Sequence, residues 1–189
     1  MKTFAANLCP HPAHLPKRAG ASSVNVAVSR VKDRLELRFC IDDCDDLIVE
    51  RDHKPDLSPI WQHTCFEFFL RGEGDAYYEY HFAPSGAWGA LSFRAYRVID
   101  ERKAALPKPD IQWDFANKAL SLLLSLELSA LPPLHPKLAL TSVLEHRDRT
   151  LSYWALCHPN PTPDFHDPRG FTEFFLTRDD AGLPLSQGT

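Results

Sequence analysis

The side chains best suited to hold a ligand fall in one stretch, WQHTCFEFFLRGEGDAYYEYHFAPSGAWGALSFRAYR, residues 61–97. It carries Trp61, His63, Glu67, His81, Trp88 and Arg94 among closely spaced aromatic rings. A sugar ring presents apolar C–H faces that stack on an indole. Its hydroxyls need acceptors such as Glu and donors such as Arg or His. Aromatic platforms flanked by a few convergent polar groups meet both needs. The other reading is that the tryptophans fill the core or rim of a sandwich.

A second polar cluster is HPNPTPDFHDPRGF, residues 158–171, in which four prolines stiffen a loop carrying His158, Asp164, His166, Asp167 and Arg169. Preorganised loops of this kind often carry function. His158, His166 and Asp164 are metal-ligand types, but their spacing is irregular and no Cys pair accompanies them, so no metal site is expected. The same holds for Cys9, His11 and His14.

No complete catalytic signature appears. Glycoside hydrolysis would need two carboxylates facing one cleft, and Glu67 with Glu145 or Asp164 would have to converge. Ser85 lacks the G-x-S-x-G frame of a nucleophile elbow. His63 and Cys65 share a strand face without touching. Neither G-x-G-x-x-G nor a P-loop is present. No catalytic residue is assigned, and the chain reads as a non-enzyme.

These groups must be positioned by strands. Val24, Val26 and Val28 alternate with polar or small residues, and Leu35, Leu37, Phe39 and Ile41 alternate with Arg34, Glu36 and Arg38. Period-two patterning across the Lys32-Asp33 turn predicts a hairpin. Residues 61–70, 76–83 and 88–94 read as a three-strand meander with turns at 72–75 and 84–86. In it Phe66, Phe68 and Leu70 share one face, and Trp61, His63, Cys65, Glu67 and Phe69 share the other. Tyr78, Tyr80 and Phe82 likewise oppose Tyr77, Glu79 and His81. Further strands are expected at 111–115, 120–128, 137–145, 151–157 and 171–176. The 120–128 run, with Leu at every even position, also fits a short helix by pattern alone. Residues 129–133 could hold one helical turn. Residues 1–20 read as an irregular lead-in with one short strand near Phe4, and residues from 177 as a tail. About nine to eleven short strands, with no long amphipathic helix, predict an all-β, two-sheet antiparallel β-sandwich forming one domain over 1–189.

At 189 residues the chain can bury a substantial core. With 21 basic and 25 acidic residues, and no dense Lys/Arg cluster, a nucleic-acid partner is not expected. No window approaches the ~20 apolar residues of a membrane helix. The first 20 residues lack an apolar h-region, so a cytoplasmic location is expected. Five irregularly spaced cysteines point to free thiols rather than a disulfide framework. Exposed edge strands make dimerisation feasible without specifying an oligomeric state.

WQHTCFEFFL, YYEYHFAPSGAW, SFRAYR and the late HPNPTPDFHDPRGF resemble the DOMON-like domains of bacterial proteins, relatives of the family-nine carbohydrate-binding modules. The resemblance runs from about Val24 to Leu176. It implies a jelly-roll-like sandwich that binds a ligand on one curved face, a sugar or haem in the wider group. Sugar-binding relatives hold a terminal sugar between two aromatic rings, with a Glu and an Arg on its hydroxyls. By that resemblance Trp61 and Glu67 supply ring and acid, Arg94 the arginine, and Trp154 or Phe165 the second ring. The candidate ligand-binding set is therefore Trp61, His63, Glu67, Trp88, Arg94, Trp154, Phe165 and His166. Haem-binding relatives use Met and His axial ligands. The only methionine here is Met1, so the haem alternative needs two histidines from His63, His81 and His166. The expectation is a non-catalytic module for a carbohydrate or a similar polar-ringed metabolite with no resident cofactor. The alternatives are a haem or metal protein and a protein-interaction module.

Overall fold

The computed structural model describes residues 2–17, 23–51, 59–102 and 105–174. Among these, every regular element is a strand or a 3-10 turn. The strands are β1 (Lys2–Asn7), β2 (Cys9–Pro10), β3 (Val24–Val31), β4 (Arg34–Ile41), β5 (Cys65–Gly72), β6 (Tyr77–Phe82), β7 (Trp88–Ala95), β8 (Val98–Ile99), β9 (Asp110–Ala116), β10 (Ala119–Glu127), β11 (Leu134–Glu145), β12 (Leu151–Ala155) and β13 (Thr172–Glu173). They form two antiparallel sheets. One has the order β1-β3-β4-β10-β9, the other β2-β12-β11-β5-β6-β7-β8, with β13 paired to β11. The molecule is an all-β sandwich.

The hydrophobic alternation sets the register. β3 and β4 pair Val26 with Phe39 and Val28 with Leu37, which aligns their apolar faces. Lys32 sits in the connecting turn at φ 55°. In β10, Leu120, Leu122, Leu124 and Leu126 are buried while Leu123 points to solvent, so this run is a strand rather than a helix. One 3-10 turn follows it at Leu128–Ala130.

The two sheets meet through Phe66, Phe68, Leu70, Tyr78, Tyr80 and Phe82 on one side and the β3, β4 and β10 leucines and valines on the other. Phe68 and Tyr80 stack at 4.7 Å and 11°. Phe39 packs on Phe66 with centroids 5.2 Å apart. The opposite face of the larger sheet is also covered. There Phe69, Tyr77, Phe93, Ala139 and Phe171 make a second, smaller core.

Several boundaries differ from the sequence reading. The lead-in is more regular than expected: β1 pairs along β3 from Lys2↔Arg30 to Asn7↔Asn25, and β2 pairs with β12. The first strand of the meander begins at Cys65, not Trp61. Pro59 instead opens a 3-10 turn over Ile60–Gln62 that places Trp61 off the sheet. Only Thr172–Glu173 is a strand in the last predicted run. The rest of that run beyond Phe174, and the tail, lie outside the described residues.

Candidate functional site

Because side chains alternate along strands, the outer face of the larger sheet receives Cys65, Glu67 and Phe69 from β5, and Tyr77, Glu79 and His81 from β6. β7 adds Leu91 and Phe93, β11 adds Thr141 and Val143, and β12 adds Leu151 and Tyr153. The turn at Ile60–Gln62 and the loop 157–171 stand over this face. Together they enclose a cavity of about 450 Å³ whose wall includes Trp61, Glu67, Glu79, Tyr153, Phe165 and His166. Arg97 and Ile99 close it from the β7–β8 side.

The floor is acidic. Glu67 is 3% exposed, accepts a hydrogen bond from Thr141 Oγ1 at 3.0 Å and faces the Cys65 thiol at 3.8 Å. Burial, and then the charge of Glu79, push its carboxyl up to about 8. Burial, and then Glu67, also push the Cys65 thiol well up, so it stays protonated and can donate. Glu79 is 5% exposed and approaches His81 Nδ1 at 3.7 Å, beyond hydrogen-bonding distance. His81 Nδ1 is buried without a hydrogen-bond partner.

The rim is aromatic. Trp61 is 48% exposed and meets the His81 ring edge-on at 6.0 Å. Its turn is anchored by His63, which pairs through Nδ1 with Glu145 Oε2 at 2.9 Å, while Arg149 holds the other carboxyl oxygen at 2.8 Å. Across the cavity, Phe165 packs against Tyr153 at 6.1 Å.

The loop is braced from several sides. The Tyr77 hydroxyl accepts from the Arg97 backbone N–H at 3.0 Å and pairs with His166 Nδ1 at 2.8 Å. Burial holds the His166 pKa below its ordinary value, which favours the neutral form. Asp164 accepts from the Tyr96 hydroxyl at 2.5 Å and from Arg97 at 2.9 Å. Burial opposes its charge, but these bonds hold its carboxyl below the usual range. Asp167 caps the 3-10 turn Pro168–Gly170 through the Arg169 N–H, and also takes Asn160 Nδ2 at 2.8 Å. Asp167→Ala is expected to cost about 1 kcal/mol as a lost cap. That is roughly 2–4 °C in Tm for a chain of this size, measurable by calorimetry.

The predicted residues divide by this geometry. Trp61, Glu67, Phe165 and His166 line the cavity. His63 lies behind it and positions the Trp61 turn. Trp88 falls on the other face of β7, packed on the main core under Lys108. Trp154 is 6% exposed, also faces the main core, and donates from Nε1 to Ser152 Oγ at 2.9 Å. Its neighbour Tyr153 takes the cavity side. Arg94 has the wrong parity: Phe93 points at the cavity, so Arg94 points away and flanks Asp100–Arg102 in the open. The cavity arginine is Arg97, brought round by a turn with φ 56°. Glu79, Tyr153 and Phe93 were not singled out, although strand parity from Glu67 and Tyr77 leads to Glu79 directly. His158 and His166 do not converge, since His158 bonds the Cys9 carbonyl at 2.8 Å. Among the described residues no three His, Cys, Asp or Glu side chains cluster as a metal site would require. No helix of the described residues is long and apolar enough to cross a membrane.

No protein-family model and no curated protein matches the chain. Solved structures do. A putative carbohydrate-binding protein from Bacteroides uniformis superimposes with a TM-score of 0.58 at 14% identity, covering 89% of this chain and 84% of that one. A family 9 carbohydrate-binding module from Caldicellulosiruptor kristjanssonii, in complex with glucose, gives 0.56 at 9% identity over 94% and 88%. The same kind of module in complex with cellotriose gives 0.52 at 8% identity over 95% and 88%. At these identities the likeness is one of fold: the chain has the β-sandwich found in carbohydrate-binding proteins.

Proposed function

We propose that this protein is a non-catalytic carbohydrate-binding module of the DOMON-like kind, and that its ligand occupies the cavity on the outer face of the larger sheet. One observation carries the reading. A half-exposed tryptophan stands over a floor of buried carboxylates, in a concave site of about 450 Å³ on a fold shared with sugar-binding proteins. Trp61 offers a stacking face at the rim, and Phe165 a second ring. Glu67 and Glu79 accept from ligand hydroxyls, and Arg97, already paired with Asp164, and His166 complete the polar wall.

The test is calorimetric titration with mono- and disaccharides, for the wild type and Trp61→Ala. Binding is expected in the wild type and a loss of at least about tenfold in the variant, as for truncation of an aromatic anchor. Because Trp61 is half in solvent, its removal should change folding stability by no more than about 0.5 kcal/mol. A wild type that binds no saccharide overturns the reading. So does a Trp61→Ala protein that unfolds, which would make Trp61 a core residue. A Soret band in the purified protein would assign the face to haem instead.

A further inference from the structure

We infer that the ligand carries a protonated amine beside its hydroxyls, making it an amino sugar rather than a neutral one. The inference rests on the carbohydrate reading and narrows its substrate class.

Glu67 and Glu79 come from neighbouring strands whose register pairs Glu67 with His81 and Phe69 with Glu79, so the two acids are diagonal neighbours on one face. Both line the cavity and both are more than nine-tenths buried. Among the described residues neither has a cationic hydrogen-bond partner. Glu67 is held only by a hydroxyl and a thiol. Among the described residues Glu79 receives no hydrogen bond, and the basic side chain in ion-pair range, His81, is 3.7 Å away through Nδ1 and itself unsatisfied there. Glu79 adds to the cost of ionising the buried Glu67 beside it, and a cation arriving with the ligand would relieve that cost.

The other charged and titratable groups around the cavity do not take this role. Arg97 is committed to Asp164 at 2.9 Å. His166 is tied to the Tyr77 hydroxyl through Nδ1. His81 Nδ1, 3.7 Å from Glu79, is buried out of a ligand's reach. The two acids therefore face the cavity where donors are scarce. An ammonium group supplies three N–H donors and no acceptor. The surrounding rings of Trp61, Phe69, Phe93, Tyr153 and Phe165 also suit a cation, through the negative faces of their π systems.

Matched ligands decide the matter on the wild-type protein. Titrations would compare glucose with glucosamine, and cellotriose with the β-1,4 trimer of glucosamine and its N-acetylated form. The expected result is that each free amine binds about tenfold or more tightly than its neutral partner, as for a hydrogen bond to a charged group. Acetylation should abolish the gain, and Glu79→Gln should erase the preference while the variant's far-ultraviolet spectrum stays that of the wild type. Equal binding of amine and hydroxyl ligands would overturn the amino-sugar inference and leave the carbohydrate reading standing. Binding of none of them would overturn both. Should Glu79→Gln fail to fold, the wild-type comparison decides alone.

Discussion

Glu67→Gln is expected to stabilise the protein at alkaline pH and to flatten its pH dependence. The folded protein holds the Glu67 carboxyl at about 8, against 4.5 for an ordinary glutamate. Between those values the folded state keeps a proton that the unfolded chain gives up. Stability therefore falls as pH rises through that window, which is opposite to the usual behaviour of a salt-bridged carboxylate. At roughly 1.4 kcal/mol for each pH unit separating the two values, the loss across the window is on the order of 4–5 kcal/mol. Glutamine has no proton to lose. It keeps an oxygen to accept from Thr141, so the variant should match the wild type within about 1 kcal/mol at low pH. Above the window it should exceed the wild type by several kcal/mol. Urea unfolding of both proteins across the pH range measures this, and the difference between the two curves reports Glu67 together with its repulsion from Glu79. Parallel curves would show that Glu67 ionises normally in its buried position.

The second large effect is expected from Gly89→Ala, a change that would be mild or even favourable in most strands, since glycine weakens a strand interior. Here a Cβ would lie well inside van der Waals distance of His81 Nε2 and 3.1 Å from two of the ring carbons. The imidazole has little room to retreat. It is 6% exposed, with Trp61 edge-on to it and Glu79 beside Nδ1. The ring must leave its place, and Trp61 must move with it. We expect a loss of about 1–3 kcal/mol from overpacking, accompanied by loss of saccharide binding, because Trp61 at the rim is displaced with the ring. Unfolding measurements and titration on the one variant test both. An unchanged Tm with unchanged affinity would mean that His81 rotates freely and does not hold Trp61 in place.

The physical reasons for what the sequence did and did not make visible lie in particular residues. The β3–β4 hairpin was legible because Val26, Val28, Leu37 and Phe39 leave one register that buries them all. The division of β5 into a Phe66 face and a Glu67 face was legible by the same alternation. It was not legible which large aromatic belongs to which side, because the larger sheet is covered on both faces. Trp88 and Trp154 are suited by type to stack on a sugar, yet parity sends both to the main core. Arg94 and Arg97 are separated by the end of β7, where strand parity stops applying and the backbone at Arg97 enters the left-handed region. Trp61 lies outside the sheet for a local reason. Pro59 precedes it and starts a helical turn, so period-two counting back from Cys65 does not reach it.

The small core of Phe69, Tyr77, Phe93, Ala139 and Phe171 is separate from the main one. The loop that closes the cavity thus has an anchorage of its own, in which His166 meets Phe69, Tyr77 and Phe93. Losing that anchorage exposes only those few rings, while the interior between the sheets keeps its full complement of contacts. The loop therefore constitutes a cooperative unit that can open locally, at a free energy below that of global unfolding. A substitution at Phe171, on the loop itself, should therefore lower the hydrogen-exchange protection of the loop more than that of the strands between the sheets.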